Sequence, residues 1–555
     1  MPGGLTQLKF KGARDVNLTG NPQITYFQNV FKRYTNFAME YIELAFERNI
    51  KLNNDQEIKA KCKIDRNADL LHDVHFIYDL PAIFNYLQVT DEVKYKYAFE
   101  TNNIYIPFSW VKGVGNKIIE DVKININSQQ IDIRRGEFME VYNHITLPKH
   151  KKKIYDSKIN GDFRSSYYTN VSNNNMENNF SFPGIPSSRL YIPINFWFCK
   201  HISLSIPLIA LQNAFVNMDF TLSRTNDLFK IGNPLVSPYE IINDINLSEE
   251  NIKIRNYLIT YVEYLNERTS TNSYSIQNIL ELLIVSDWQP YYSLLANYIF
   301  LDDDERKNVV QTSHEYIIDQ VKFHYFDGLK RGKNIIDINM NGLVSEFIWF
   351  IKKDKDTETN DWFNFTNTKN TETINILNKI RKRITNITDS SGDLIELKSY
   401  ENLNDIDPEI TKVILNEFNT MYRNTTSNTT DRKNICDDQW NYQDIMESFK
   451  LLLNKNDRFG ERKSRFFELL QVDKYHTGQS KKGLYVYSFS IKPEETNKPS
   501  GTCNMSVIGN QQLIINIYDS NSIDTYLELF ELHFYTISYN IFKVNAGIGS
   551  ILYAN

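Results

Sequence analysis

Apolar and polar residues alternate along much of this chain. In residues 58–66, Ile58, Ala60, Cys62 and Ile64 fall on one face and Lys59, Lys61 and Lys63 on the other. That is a half-buried antiparallel strand with a wet face. Residues 38–49 alternate more loosely through Met39, Tyr41, Leu44 and Phe46, and 74–80 form a third strand. The same pattern predicts strands at 118–131 (with a hairpin), 191–197, 214–222, 297–301, 316–326, 484–491, 512–518 and 534–544. Residues 346–352 are apolar nearly throughout and predict a central strand. Many short strands broken by Gly, Pro and Asn turns point to an all-β sandwich or jelly roll. The two halves have similar strand counts, which suggests a duplicated β-sandwich without a visible sequence repeat.

The pattern lapses in four places. The first 35 or so residues have no apolar period, are dense in turn formers (Gly12, Asn17, Gly20, Asn21, Pro22) and predict an ordered arm that needs other surfaces. Residues 148–186 are polar, with a loop tip at 172–175. Residues 225–290 mix helical and strand signals. Residues 354–440 form the largest excursion, with predicted helices at 373–384 and 407–422, the latter capped by Asp407 with Pro408 at its first position. Long excursions on a sandwich are surface features.

The 555-residue length suggests two to four domains. Tyr and Phe, 34 of each, suit strands and large packed interfaces. The net charge of −6 is small and no Lys/Arg block marks a nucleic-acid tail, so direct nucleic-acid binding is not expected. Cys62, Cys199, Cys436 and Cys503 have neither CxxC nor zinc-site spacing, which argues against a metal site or a disulfide framework and fits a reducing compartment. Neither a signal peptide nor an apolar run of membrane-spanning length is present.

Candidate chemistry is thin. His72 and His75 could ligate a metal, but none of the nine histidines forms a His-x-His pair. Asp302, Asp303, Asp304 and Glu305 lack the calcium-loop pattern and predict a solvated turn. His314-Glu315 lacks the second histidine of a zinc-protease helix. Lys379, Arg381, Lys382 and Arg383 predict a wet helix face. No catalytic, cofactor-binding or metal residue is assigned, and no cofactor is expected. These residues leave open a carbohydrate-binding or hydrolytic β-sandwich, which would need paired carboxylates or exposed aromatics.

Several segments resemble the major capsid proteins of nucleocytoplasmic large DNA viruses. They are the arm through Glu40; residues 189–211, with Leu190-Tyr191-Ile192-Pro193 and Phe196-Trp197-Phe198-Cys199; residues 300–321; Leu453-Asn454-Lys455-Asn456-Asp457-Arg458-Phe459, with Lys455 where that family usually has Gly; residues 485–504; and the tail from Tyr539. The resemblance covers both halves in order. It implies a double jelly roll, two eight-stranded antiparallel sandwiches side by side with long, partly helical loop insertions. The domains it implies are an arm at 1–27, a first roll at 28–224, an interdomain insertion at 225–290, and a second roll at 291–555 carrying a 354–440 surface insertion. It implies no enzyme activity but a homotrimer, forming pseudo-hexameric capsomers that tile an icosahedral shell. Loops at 81–115, 148–186, 354–440 and 472–482 would face outward and could carry glycans. The arm would lie inside, near neighbouring capsomers, minor capsid proteins or an internal membrane. The implied location is the virion capsid, assembled in a cytoplasmic viral factory.

Overall fold

The computed structural model describes residues 3–28, 32–48, 56–83, 86–88, 103–161, 184–232, 235–244, 247–268, 275–283, 291–354, 359–367, 444–518 and 529–553. The predicted loop tip at 172–175, the two helices within 354–440 and the basic residues 379–383 lie outside them.

The strands of the first half are β1 (Phe37–Leu44), β2 (Ile58–Ile64), β3 (Leu70–Leu80), β4 (Tyr86–Gln88), β5 (Asn103–Tyr105), β6 (Phe108–Trp110), β7 (Ile119–Ile126), β8 (Gln129–Arg135), β9 (Ser188–Pro193), β10 (Ile206–Pro207), β11 (Val216–Leu222), β12 (Phe229–Ile231) and β13 (Tyr292–Leu301). Those of the second are β14 (His314–Leu329), β15 (Gly332–Asp337), β16 (Leu343–Lys353), β17 (Met446–Leu453), β18 (Asn456–Lys463), β19 (Leu484–Ser488), β20 (Cys503–Asn504), β21 (Gln511–Ile517), β22 (Phe530–Asn545) and β23 (Ile548–Ile551).

Each half builds two facing antiparallel sheets. The first pairs β1-β13-β3, with β9 and β10 both on β3, against β2-β11-β7-β8. The second pairs β14-β22-β16-β19, with β20 on β16 and β23 on β22, against β15-β21-β17-β18. The two strand orders correspond position by position, so the duplication expected from strand count is a duplication of topology. This is the double jelly roll. Trp197 fills the first core and Trp349 the second.

The domain boundary moves. The sequence places the start of the second roll at 291 and reads 225–290 as an insertion between rolls. Instead β13 pairs with β1 along its length, from Phe37↔Leu301 to Leu44↔Leu294, and with β3 on its other side. Leu294, Ala296 and Tyr298 complete the first core. The 225–290 insertion therefore lies inside the first roll, before its last strand, and the second roll opens with β14. The insertion's described part is mainly helical, with Glu249–Arg268 its longest element.

Three further elements differ from expectation. The arm forms two short helices, Gly3–Lys9 and Ala13–Thr19. Gly12 N–H donates to the Asp15 carboxylate at 2.8 Å and closes the first turn of the second helix. Neither helix has an apolar face packed on the fold, so periodicity gave no sign of them. The 148–186 excursion contains the helix Lys149–Asn160. The acidic turn is the first turn of the helix Asp303–Gln311, where Asp302 accepts from Asp303 N–H and the acidic side chains complement the helix dipole.

Lys455 occupies a position that favours glycine. β17 and β18 join through Asn454 and Lys455, both left-handed (φ 50° and 66°), between the paired Leu453 and Asn456. A two-residue turn with both central φ positive fits the twist of the strands and prefers Asn-Gly. We expect Lys455→Gly to raise the melting temperature by about 1–3 °C, since relief of left-handed strain exceeds the added unfolded-state entropy. A lower melting temperature in differential scanning fluorimetry would refute this account of the turn.

Candidate functional site: the seam between the two rolls

The most heavily built polar region of the described chain lies where the rolls meet. β16 explains why a seam exists. Phe347, Trp349 and Ile351 point into the second roll's own core, while Ile348 and Phe350 point the other way. β19 divides likewise, Tyr485 and Tyr487 inward, Leu484 and Val486 outward. This sheet is apolar on both faces, as its unbroken hydrophobic run required. Its outer face is covered by the helix Gly136–Thr146 of the first roll, through Phe138, Val141, Tyr142 and Ile145. Phe138 meets Tyr535 with ring centroids 5.2 Å apart.

Buried charges cross the same boundary. Arg134 on β8 is fully buried; its guanidinium lies 2.6 Å from Asp132 and 3.0 Å from Asp319 on β14. Its Nε donates to the Asn195 carbonyl at 2.8 Å. Lys200 reaches the same Asp319 oxygen at 3.0 Å and the Tyr142 hydroxyl at 2.8 Å. Burial pushes the Asp132 carboxyl up to about 7; Arg134 pulls it back and Asp319 adds to the rise. Burial also acts on Asp319, but Lys200 and Arg134 outweigh it and hold that carboxyl below its usual value.

A second cluster joins Glu137 of the first roll to Lys352 and His533 of the second, with His533 Nδ1 2.9 Å from Glu137. Burial opposes the Glu137 charge, yet Lys352 and His533 hold its carboxyl well below the usual range. A third lies on the second roll beside the seam. His476 sits between Glu346 and Glu494, each at 3.2 Å. Burial disfavours its charge, but the two carboxylates win and raise it to about 9. The next residues bind the first roll: Gly478 N–H donates to the Ile145 carbonyl at 2.7 Å, and a Cβ at Gly478 would stand 2.4 Å from that backbone.

None of these residues was singled out as a site by the sequence. One signal was available: Glu346 and Lys352 sit inside an otherwise apolar strand, and buried charges occur almost only when paired. The residues that were considered stay apart. His72 Nδ1 bonds the Phe198 carbonyl at 2.8 Å, while His75 lies beside Asp73. His314 bonds the Val309 carbonyl and Glu315 pairs with Lys543. Among the described residues no group of three or more His, Cys, Asp or Glu is placed to hold a metal ion.

Two jelly rolls of one strand order, locked flank to flank by an apolar and ionic seam, define a double jelly-roll subunit. The comparisons agree. Residues 25–302 match the family "Major capsid protein N-terminus", and residues 305–550 match "Large eukaryotic DNA virus major capsid protein". The break between them coincides with the boundary set by β13. The chain is 27% identical to the major capsid protein of Phaeocystis pouchetii virus over the whole of both chains, and 25% identical to that of Paramecium bursaria Chlorella virus 1, again over both in full. Among solved structures, PBCV-1 VP54, as fitted into a reconstruction of the virophage Sputnik, matches with a TM-score of 0.59 at 21% identity, covering 96% of this chain and 100% of that one. The Faustovirus major capsid protein matches at 0.56 with 9% identity, covering 97% and 95%. The chain belongs to the major capsid protein family of large eukaryotic DNA viruses, whose members are structural proteins of the virion rather than enzymes.

Two outcomes test the seam. Arg134→Met should cost about 3–5 kcal/mol of stability, because it leaves two buried carboxylates without their shared cation; a loss below about 1 kcal/mol would contradict the role given to Arg134. His476 has a folded value raised above its ordinary 6.5. Its charge therefore stabilises the fold fully below about pH 6.5, and that contribution is lost as pH rises through about 9. Between pH 7 and 10 the melting temperature of the wild type should fall more steeply than that of His476→Gln. Parallel curves would count against the ion triad.

Proposed function

We propose that three copies of this chain close into a pseudo-hexameric ring, the capsomer that tiles the shell of a large DNA virus. The observation that carries this reading is that the molecule holds one joint twice, once filled and once open. On the first roll, Phe138, Val141 and Tyr142 stand three, six and seven residues beyond the end of β8 and cover the outer face of the second roll's sheet. At the same offsets beyond β18, the second roll carries Phe466, Leu469 and Leu470. Leu469 and Leu470 are exposed, the latter by 61%. The matching sheet face on the first roll is open as well, with Phe37, Met39 and Tyr41 of β1 exposed.

A second copy supplies what each open half lacks. The contact pairs different surfaces, so it closes a ring if the rotation per roll is near sixty degrees, and two rolls per chain then require three chains. The alternative of a glycan-binding or glycan-cleaving sandwich gains no support from the relatives, all named as capsid proteins.

The arm completes the reading. Phe10, Leu18, Tyr26 and Phe27 are nearly bare in the single chain, Phe27 by 99%. Apolar side chains in such density call for a covering surface. We assign that surface to neighbouring capsomers, minor capsid proteins or an internal membrane on the inner side of a shell assembled in the host cytoplasm.

In size-exclusion chromatography with light scattering, the purified protein should run at three times the chain mass. L469D/L470D should run as a folded monomer, because both side chains are solvent-exposed in the single chain. Deleting residues 1–27 should leave the trimer intact and impair lattice attachment. A monomeric wild type, a trimer that survives L469D/L470D, or a trimer lost with the arm would each contradict the assignment.

A further inference from the structure

The helix Lys149–Asn160 carries a dense run of positive charge in a weakly acidic chain. Lys149, Lys151, Lys152 and Lys153 crowd its first two turns, with no acidic residue in the first turn and no side-chain cap at Pro148. This arrangement works against the helix. Cations at a helix N-terminus oppose its dipole, and Lys149 and Lys153 repel at i,i+4. The helix is held instead by its buried face, Tyr155 and Ile159; the Tyr155 hydroxyl accepts from Asn116 and Asn143 at 2.6 and 2.9 Å.

The charge continues onto both rolls. Lys112 lies beside the helix from the first roll, and Lys481 from the second, where its ammonium donates to the Phe363 carbonyl at 3.1 Å and lies 4.6 Å from the Phe365 ring centroid. Among the described residues none of these six lysines forms an ion pair. Glu140 and Asp156 are the carboxylates that face the group. Glu140 is committed to Asn116 at 2.6 Å. Burial pushes Lys481 down to about 8; Glu140 pulls it back, and Lys112 and Lys152 push it further.

The position of this surface is defined by the strands. The arm leaves at Phe37, paired with Leu301, next to the Leu70 end of β3. The helix ends at Gly161, which abuts Ser188, and Ser188 pairs with Leu80 at the other end of β3. The two are separated by the length of that strand, roughly 30 Å. If the arm lies inside the shell, the Gly161 end of the basic helix lies toward its outer side.

We propose that this surface, the four helix lysines with Lys112 and Lys481, binds a sulfated polysaccharide outside the particle. It rests on the shell reading above. Ile154 is the only exposed large apolar side chain of the helix, so there is no apolar face to enter a lipid bilayer. The helix's tyrosine is buried, which leaves the small imidazole of His150 as its only exposed ring for a nucleic-acid base to stack on. A flexible chain of sulfates satisfies the cations without either.

The test uses the intact trimer and a size-defined heparin oligosaccharide as probe, followed by calorimetry at two salt concentrations. K151Q/K152Q/K153Q should bind at least about tenfold more weakly and with a shallower salt dependence. K59Q/K61Q/K63Q, which removes equal charge from the wet face of β2, should lose less than about twofold. Equal losses in the two variants, or no binding by the wild type, would overturn the proposal. So would tighter binding of duplex DNA of matched charge through the same lysines. Light scattering on the same samples reports the trimer separately, so failure of the shell reading is not mistaken for failure of the site.

Discussion

Phe534 and Tyr535 are neighbours in sequence and point into different cores. Phe534 packs on Trp349 inside the second roll, and Tyr535 packs on Phe138 of the first. The whole sheet β14-β22-β16-β19 is built this way, with its period-two alternation dividing one set of strands between two hydrophobic clusters. A sheet apolar on both faces cannot leave one of them in water. The pairing of the rolls therefore follows from the strands themselves.

The buried charges along this seam add definition to adhesion. A flat apolar contact tolerates sliding; Arg134 between Asp132 and Asp319, and Glu137 between Lys352 and His533, do not. If the rolls shift, Asp319 loses Arg134 and Lys200, and Glu137 loses Lys352 and His533; an uncompensated buried charge costs several kcal/mol. The angle between rolls is thus set by ion pairs and the attraction by apolar area. If the same joint is repeated between chains, as proposed, a fixed angle inside the chain decides whether the ring closes.

The strands were legible where one face is wet: β2, with its alternating lysines, matches expectation to within two residues. The central strand β16 was visible as an apolar run, but the run could not say what lay beyond its second face. Chain order misplaced β13, because strand periodicity carries no information about which sheet a strand joins. The short helices of the arm and the helix Lys149–Asn160 escaped notice because their apolar residues are few, and the hydrophobic period is the signal that reveals a helix. The seam's charged residues went unseen because they are scattered from Asp132 to His533, with no local spacing to mark them. The family resemblance reached the fold and its use as a shell, but not the joint that makes the pair rigid.

The central claim is that the seam holds the two rolls as one body. Its most direct test is a distance distribution between spin-labelled residues at positions 61 on β2 and 333 on β15, measured by double electron–electron resonance with the labelled chain diluted in unlabelled protein. The account predicts one narrow distance, the same in the trimer and in L469D/L470D. A broad or two-peaked distribution in the dissociated chain would show that the rolls are hinged and that the ring, not the seam, sets their angle.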